Sequence, residues 1–271
     1  MVKRRDRRGV ALVFVLWLLV LLGAAAAEVA SRARSETLIL SSLRARTLGR
    51  YAAESGILTA TTRIEALLDS TRVPTQRVAM LRRLDALSAS LEDIELGSAR
   101  FGVAVVDLNA RIDLNRADDR TLRGLFTQFI PQSRAEAVVA ALRREPVERL
   151  GELTRVPGVD DSLALAVAPY VTVGSDGVVN INSAPEPVLA ALPAVGSAGA
   201  RTIVRRRAAG EVFTSITFGP PVSIMPTRLM LISRGWQQGH PLTHEIQAVY
   251  AVVGTRLVLR AWQERDRKSV V

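Results

Sequence analysis

No cysteine occurs in the 271-residue chain, which removes thiol catalysis, cysteine-ligated zinc and iron–sulfur chemistry from the functions open to it. The same absence leaves the redox compartment undecided, because an exported protein can carry disulfides but need not. Histidine is nearly missing as well. His240 and His244 stand with Glu245 in what reads as a hairpin loop, and His-x-x-x-His in a turn does not aim both rings at one ion. No Gly-x-Ser-x-Gly, Asp-x-His or helical metal spacing supports an active site, so neither an enzyme nor a cofactor is expected. Aromatic residues are only 4% of the chain, leaving few platforms on which nucleic-acid bases stack. Lysine is almost absent too: of 36 basic residues only Lys3 and Lys268 are lysine. The net charge of +10 is therefore arginine charge, and Lys3 to Arg8 alone supply +4 of it. The remainder is scattered, apart from Arg205-Arg206-Arg207 and the Arg265 to Lys268 tail, both of which read as solvated faces.

What is present is one long apolar run, Val10 to Ala27, set against Gly9 and the basic stretch ahead of it. Its 18 residues make a helix of roughly 27 Å, close to the ~30 Å hydrocarbon core of a bilayer. Basic residues flanking a first span stay cytoplasmic, so the chain beyond Ala27 is expected outside on a single membrane pass, which the family resemblance given below makes an inner-membrane pass with a periplasmic head. A secretory signal cut near Ala24 to Ala27 is the competing reading, although this apolar core is longer than such signals carry. A signal anchor without cleavage gives the same topology.

The helical pattern does not stop at the membrane. Glu28 to Leu68 lacks proline, and Leu40, Leu43, Leu58, Ile64, Leu67 and Leu68 mark an apolar face expected to pack on a globular domain and on partner helices. Glu54 reads as a helix-face carboxylate, and Arg32, Arg34 and Arg44 as a solvated or lipid-headgroup face. A second helix is expected at about Gln76 to Ala89. Arg100 to Leu108 then reads as a strand with a turn at Asn109-Ala110, and the end of the chain returns to strands at Arg228 to Trp236, Glu245 to Val253 and Thr255 to Glu264. Between them lies a helical block broken by prolines. It contains an echo: Ile112-Asp113-Leu114-Asn115-Arg116-Ala117 with Leu122 matches Val179-Asn180-Ile181-Asn182-Ser183-Ala184 with Leu189. Asn115 and Asn182 are each predicted to cap the helix that follows, by accepting from a free backbone N–H.

The basic stretch, Gly9 and the apolar helix resemble the type IV prepilin junction, with the cut expected between Gly9 and Val10. Taken in order with Ala53-Glu54-Ser55-Gly56, the paired Asn-x-Ala motifs, Leu153 to Val159, Ala168 to Val173 and Ser233-Arg234-Gly235-Trp236, this resembles the minor pseudopilin K family of type II secretion from Gly9 to about Arg260. The resemblance implies an α+β, pilin-like fold: a long N-terminal transmembrane helix on an antiparallel sheet, with a large all-helical domain, similar to SAM or helix-hairpin-helix modules, inserted between strands. The implied division is a leader at 1–9, a membrane helix at 10–27 continuing to about 70, a core at 71–108 and 211–271, and the insertion at 109–210. It implies a place at the pseudopilus tip, where assembly starts, with minor pseudopilins I and J and other pseudopilins as partners through the N-terminal helix, and with a prepilin peptidase and an inner-membrane assembly platform acting on it. Pilin-like chains usually carry Glu at the fifth mature position, where it pairs with the amine of the subunit ahead. Here that position is Phe14, and a subunit with nothing ahead of it has no need of a costly intramembrane carboxylate. The family's calcium site does not carry over, because Asp118-Asp119, Asp160-Asp161 and Asp176 form no loop of alternating oxygen ligands.

Two rivals remain at the sequence level. Leu153 to Ala164 and Leu189 to Ile203 resemble helix-hairpin-helix motifs, which would make a membrane-anchored DNA-binding protein. Against this, Ala194 replaces the expected glycine and Asp160-Asp161 repels phosphate. The other rival is a minor pilin of a related type IV pilus or competence machine.

Overall fold

The structure, a computed structural model, describes residues 7–71, 73–81, 84–216 and 218–268. Lys3 to Asp6 of the expected leader lie outside the described residues, and of Arg7 to Ala11 only the helical backbone is described. Helix α1, Arg7–Ser70, runs 64 residues, about 96 Å at 1.5 Å per residue, because no proline interrupts it before Pro74. Leu12 to Arg44 are exposed throughout, and from Ala45 onward the helix rests on a sheet.

Two short helices follow, α2 (Pro74–Leu81) and α3 (Leu84–Ala89), where one was expected, then strands β1 (Ile94–Leu96) and β2 (Ala99–Asp107). The helical block comprises β3 (Ile112–Asp113), α4 (Asp119–Phe126), α5 (Gln132–Arg144), α6 (Asp161–Val167), β4 (Val171–Thr172), β5 (Val179–Asn180), α7 (Glu186–Ala191), α8 (Gly196–Ala208) and β6 (Val222–Ser223). Strands β7 (Arg228–Gln237), β8 (Leu242–Val253) and β9 (Arg256–Lys268) follow the block.

The main sheet has the order β1-β2-β7-β8-β9, antiparallel throughout. Strands β2 and β7 are direct neighbours, with Asp107 opposite Leu229, although the whole helical block separates them in sequence. The block is thus an insertion between two central strands. Alternation supplies one buried face: Phe101, Val103 and Val105 from β2, Leu229 and Leu231 from β7, Ile246 and Ala248 from β8. Against it α1 places Ala52, Ala53, Ile57, Ala60, Ile64 and Leu68 at helical spacing.

The insertion has a core of its own, built on Leu114, Leu122, Leu125, Phe126, Val138, Leu142, Val188 and Leu189. Phe213 and Val222 belong to it, so that core continues past residue 210, the expected boundary. Within it the sequence echo is a structural repeat. Each copy opens with a two-residue strand and closes on a parallel partner strand, β3 with β4 across α4, α5 and α6, and β5 with β6 across α7 and α8.

Candidate assembly surface and its supports

The membrane-proximal part of α1 carries the first expected sites. Among the described residues it is the one helix long and apolar enough to cross a bilayer, and its apolar window is not buried against protein. Gly9 and Val10 lie within its backbone; Phe14 is 73% exposed. Further along, Leu40, Leu43 and Leu58 are also exposed, at 66%, 52% and 69%. They do not hold the helix to its own head. That seam begins with small residues, Ala45, Gly49, Ala52, Ala53, Gly56 and Ala60, and is continued by Ile57, Ile64 and Leu68. A Cβ on Gly56 would lie 2.2 Å from Ser233 Oγ and 2.9 Å from the Phe101 ring, so the sheet approaches the helix backbone itself. The six apolar positions named from sequence therefore divide, Ile64 and Leu68 inward, Leu40, Leu43 and Leu58 outward, with Leu67 partly exposed. Glu54 lies on the helix flank, accepting from Arg50 Nε at 3.0 Å.

Asn115 and Asn182 are not helix caps. Asp118 caps α4, its carboxylate accepting from Thr121 N at 2.8 Å, and α7 follows Pro185 without a side-chain cap. Asn115 instead pairs with a peptide unit: its Nδ2 donates to the Val147 carbonyl at 2.8 Å and its Oδ1 accepts from Val147 N at 3.0 Å. Asn182 does the same to Phe213, at 2.8 and 2.9 Å, and also donates to the Ile224 carbonyl. An N-cap uses only the acceptor of an amide; these clamps use both ends, at the half-buried Asn115 and at the buried Asn182, where both ends need partners.

A second polar centre joins insertion to sheet. Asn109 is fully buried; its Nδ2 donates to Asp176 Oδ1 and the Val178 carbonyl, both at 2.8 Å, while its Oδ1 accepts from the backbone nitrogens of Thr227 and Arg228, both at 2.8 Å. The points where the chain leaves β2 and rejoins at β7 are thereby tied by one side chain. Beside it, burial pushes the Asp107 carboxyl above its ordinary value, against hydrogen bonds from Ser183 Oγ (2.5 Å) and Asn180 Nδ2 (2.8 Å).

The two histidines do not share the loop expected of them. His240 is in the turn, but His244 and Glu245 lie on β8, both buried. The strand continues through them because each finds a partner on a neighbouring strand. His244 Nδ1 is 2.7 Å from Asp266 Oδ1. On the other face Glu245 accepts from Arg234 Nε at 2.9 Å and from Arg265. Burial alone would raise the Glu245 carboxyl, yet hydrogen bonds from the Arg234 and Arg265 guanidiniums and Gln247 hold it below the ordinary range. Nor are Arg206 and Arg207 merely solvated. Arg206 pairs with Glu211 and lies 4.8 Å over the Phe213 ring, and Arg207 Nη1 donates to the carbonyls of Ile181 and Ala184. The acidic pairs are structural as well: Asp160 caps α6 and binds Arg134, and Asp119 binds Arg143. Among the described residues no group of three His, Asp or Glu side chains is placed to hold a metal.

No protein-family profile matches the sequence, and no curated protein does. A solved structure does match. A chain of the GspK-GspI-GspJ complex from the enterotoxigenic Escherichia coli type 2 secretion system superposes with a TM-score of 0.57 at 14% identity, covering 81% of this chain and 96% of that one. The likeness is one of fold, and the fold is the expected pilin-like one, with α1 on an antiparallel sheet and helices inserted between its strands.

Proposed function

We propose that the chain is a non-enzymatic, pilin-like subunit that acts as a minor pseudopilin at the tip of a type II secretion pseudopilus, where it initiates assembly. The observation that carries this reading is the placement of a separately cored helical insertion between β2 and β7 of a pilin-like head, in a fold shared over 96% of a chain from a pseudopilin complex. Such a block hinders a subunit stacked above it, and at a filament end nothing stands above. Phe14 at the fifth mature position supports the same place, since it leaves no carboxylate to be neutralised by a subunit ahead.

In this reading Gly9-Val10 is the cleavage site, the head is periplasmic, and the apolar outer face of α1 at Leu40, Leu43 and Leu58 meets two pseudopilins equivalent to those named in the matched complex. The prepilin peptidase and an inner-membrane platform act before and during assembly. Mass spectrometry of the N-terminus, on protein purified from membranes with and without the peptidase, tests this. A mature chain beginning at Val10 only when the peptidase is present is expected; a start near Glu28 overturns the reading.

A further inference from the structure

Helix α1 leaves the sheet at Ala45, and a compact set of charged groups sits at that point. His244 on β8 lies under Gly49, with its Cβ 3.6 Å from where a Gly49 Cβ would stand. On β9, Asp266 Oδ1 is 2.7 Å from the ring's Nδ1 and Glu264 Oε2 is 3.4 Å from its Nε2. On α1, Arg46 Nε reaches Asp266 Oδ2 at 3.0 Å, and Arg50 Nε lies 3.5 Å from Glu264 Oε2 and 3.0 Å from Glu54. From β7 the facing residue is Gly235, which brings no charge.

The geometry fixes where the first ring proton sits. A carboxylate only accepts, so Nδ1 must carry the proton that is donated to Asp266. In the neutral ring Nε2 is then a bare lone pair, buried and without a hydrogen-bond partner, pointing at a second carboxylate. A second proton turns that repulsion into attraction. It also balances the cluster, where the carboxylates of Glu54, Glu264 and Asp266 outnumber the guanidiniums of Arg46 and Arg50 by one.

We propose that His244 makes the neck between the membrane helix and the head proton-sensitive: uptake of the second ring proton seats α1 on the β8–β9 end of the sheet, and its loss loosens that seat. The sign follows from the pairing. A cationic ring shares both carboxylates with Arg46 and Arg50, so the seat is tighter at acidic pH with the second proton held and weaker at alkaline pH once it is lost. The hydrogen bond from Trp262 Nε1 at 2.7 Å keeps Glu264 ionised and oriented toward the ring. This inference does not rest on the proposed secretory role.

The test uses the full chain in lipid nanodiscs. Ring proton signals of the two histidines are followed from pH 5 to 8.5, with His240→Gln leaving only those of His244. Amide-exchange protection of residues 45–53 and 262–268, corrected for intrinsic rates, is compared at pH 5.5 and 8. Protection about fivefold higher at the acidic end is expected, shared by His240→Gln and absent from His244→Gln. Glu264→Gln, which removes the carboxylate facing Nε2 while retaining the fold's hydrogen bonds, is expected to shrink the dependence. Equal protection at both pH values in the parent chain, or the same dependence surviving in His244→Gln, overturns the proposal.

Discussion

Gly49 and Gly235 meet backbone to backbone: a Cβ on Gly235 would lie 2.1 Å from the Gly49 carbonyl oxygen and 2.4 Å from the Ala53 nitrogen. Neither atom can retreat without moving the helix from the sheet. Gly235→Ala is therefore expected to cost about 3 kcal/mol, at the upper end of overpacking penalties, and to lower the thermal midpoint of the detergent-solubilised chain by several degrees. Gly239→Ala, at a turn glycine with open space around it, probes only the strain of φ +78° and is the smaller change, about 1 kcal/mol.

Only the Ile64 and Leu68 end of that seam was legible in the sequence, and the reason is physical. Apolar periodicity finds large side chains, and here Leu40, Leu43 and Leu58 recur at helical spacing while facing outward. The contact with the sheet needs the opposite, residues small enough for two backbones to touch, and alanine and glycine carry little signal. Long elements were readable: an uninterrupted helix from lack of proline, and β2, β7, β8 and β9 from alternation. His244 and Glu245 were not, because what makes a buried polar residue possible on β8 is a partner on β9 or β7, invisible to local pattern. The asparagine echo was visible, but its role depends on Val147 and Phe213, 32 and 31 residues downstream.

Asn109 holds the two crossing points of the insertion through bonds at both ends of its amide. Asn109→Ala leaves Thr227 N, Arg228 N and Asp176 short of a partner in a buried place. A loss of about 2–4 kcal/mol is expected, several such groups being orphaned together. Asn109→Asp keeps the acceptor but sets a carboxylate against Asp176, so it is expected to fall between the two. Urea unfolding followed by circular dichroism measures both.

Glu245 gives the sheet an acid-sensitive point. Its folded carboxyl lies below the ordinary value, so its stabilisation is fully present above the unfolded value of about 4.3 and is lost as pH falls through the folded one. Glu245→Gln retains the shape but removes the charge between Arg234 and Arg265. It is expected to cost about 2 kcal/mol at pH 7 and to flatten the stability profile below about pH 4, read as urea midpoints from pH 7 to 3.

In the proposed function Phe14 is the position that distinguishes a tip subunit from an ordinary pilin-like one. At 73% exposed it makes no contact with its own head, so Phe14→Glu should leave folding untouched. Its cost lies in the membrane, where an unpaired carboxylate is unfavourable by about 3 kcal/mol. A subunit with nothing ahead of it gains no compensating partner, and secretion is expected to be mildly reduced or unchanged.

Leu58 tests the other half of assembly. It is 69% exposed on the segment of α1 that lies over the sheet, so its side chain contributes little to the chain's own stability. Leu58→Glu is expected to shift the thermal midpoint by no more than a degree or two, since exposed substitutions stay within about 0.5 kcal/mol. If this face meets partner helices, the same change buries a charge without a partner in the assembly, and co-purification with the two partner pseudopilins should fall at least tenfold. Leu165, 77% exposed on α6 of the insertion, is the matched control: Leu165→Glu adds the same charge to a comparably exposed leucine away from the helix. Loss of partners in both variants would point to a general effect of added charge, and loss in neither would remove the outer face of α1 from the assembly surface.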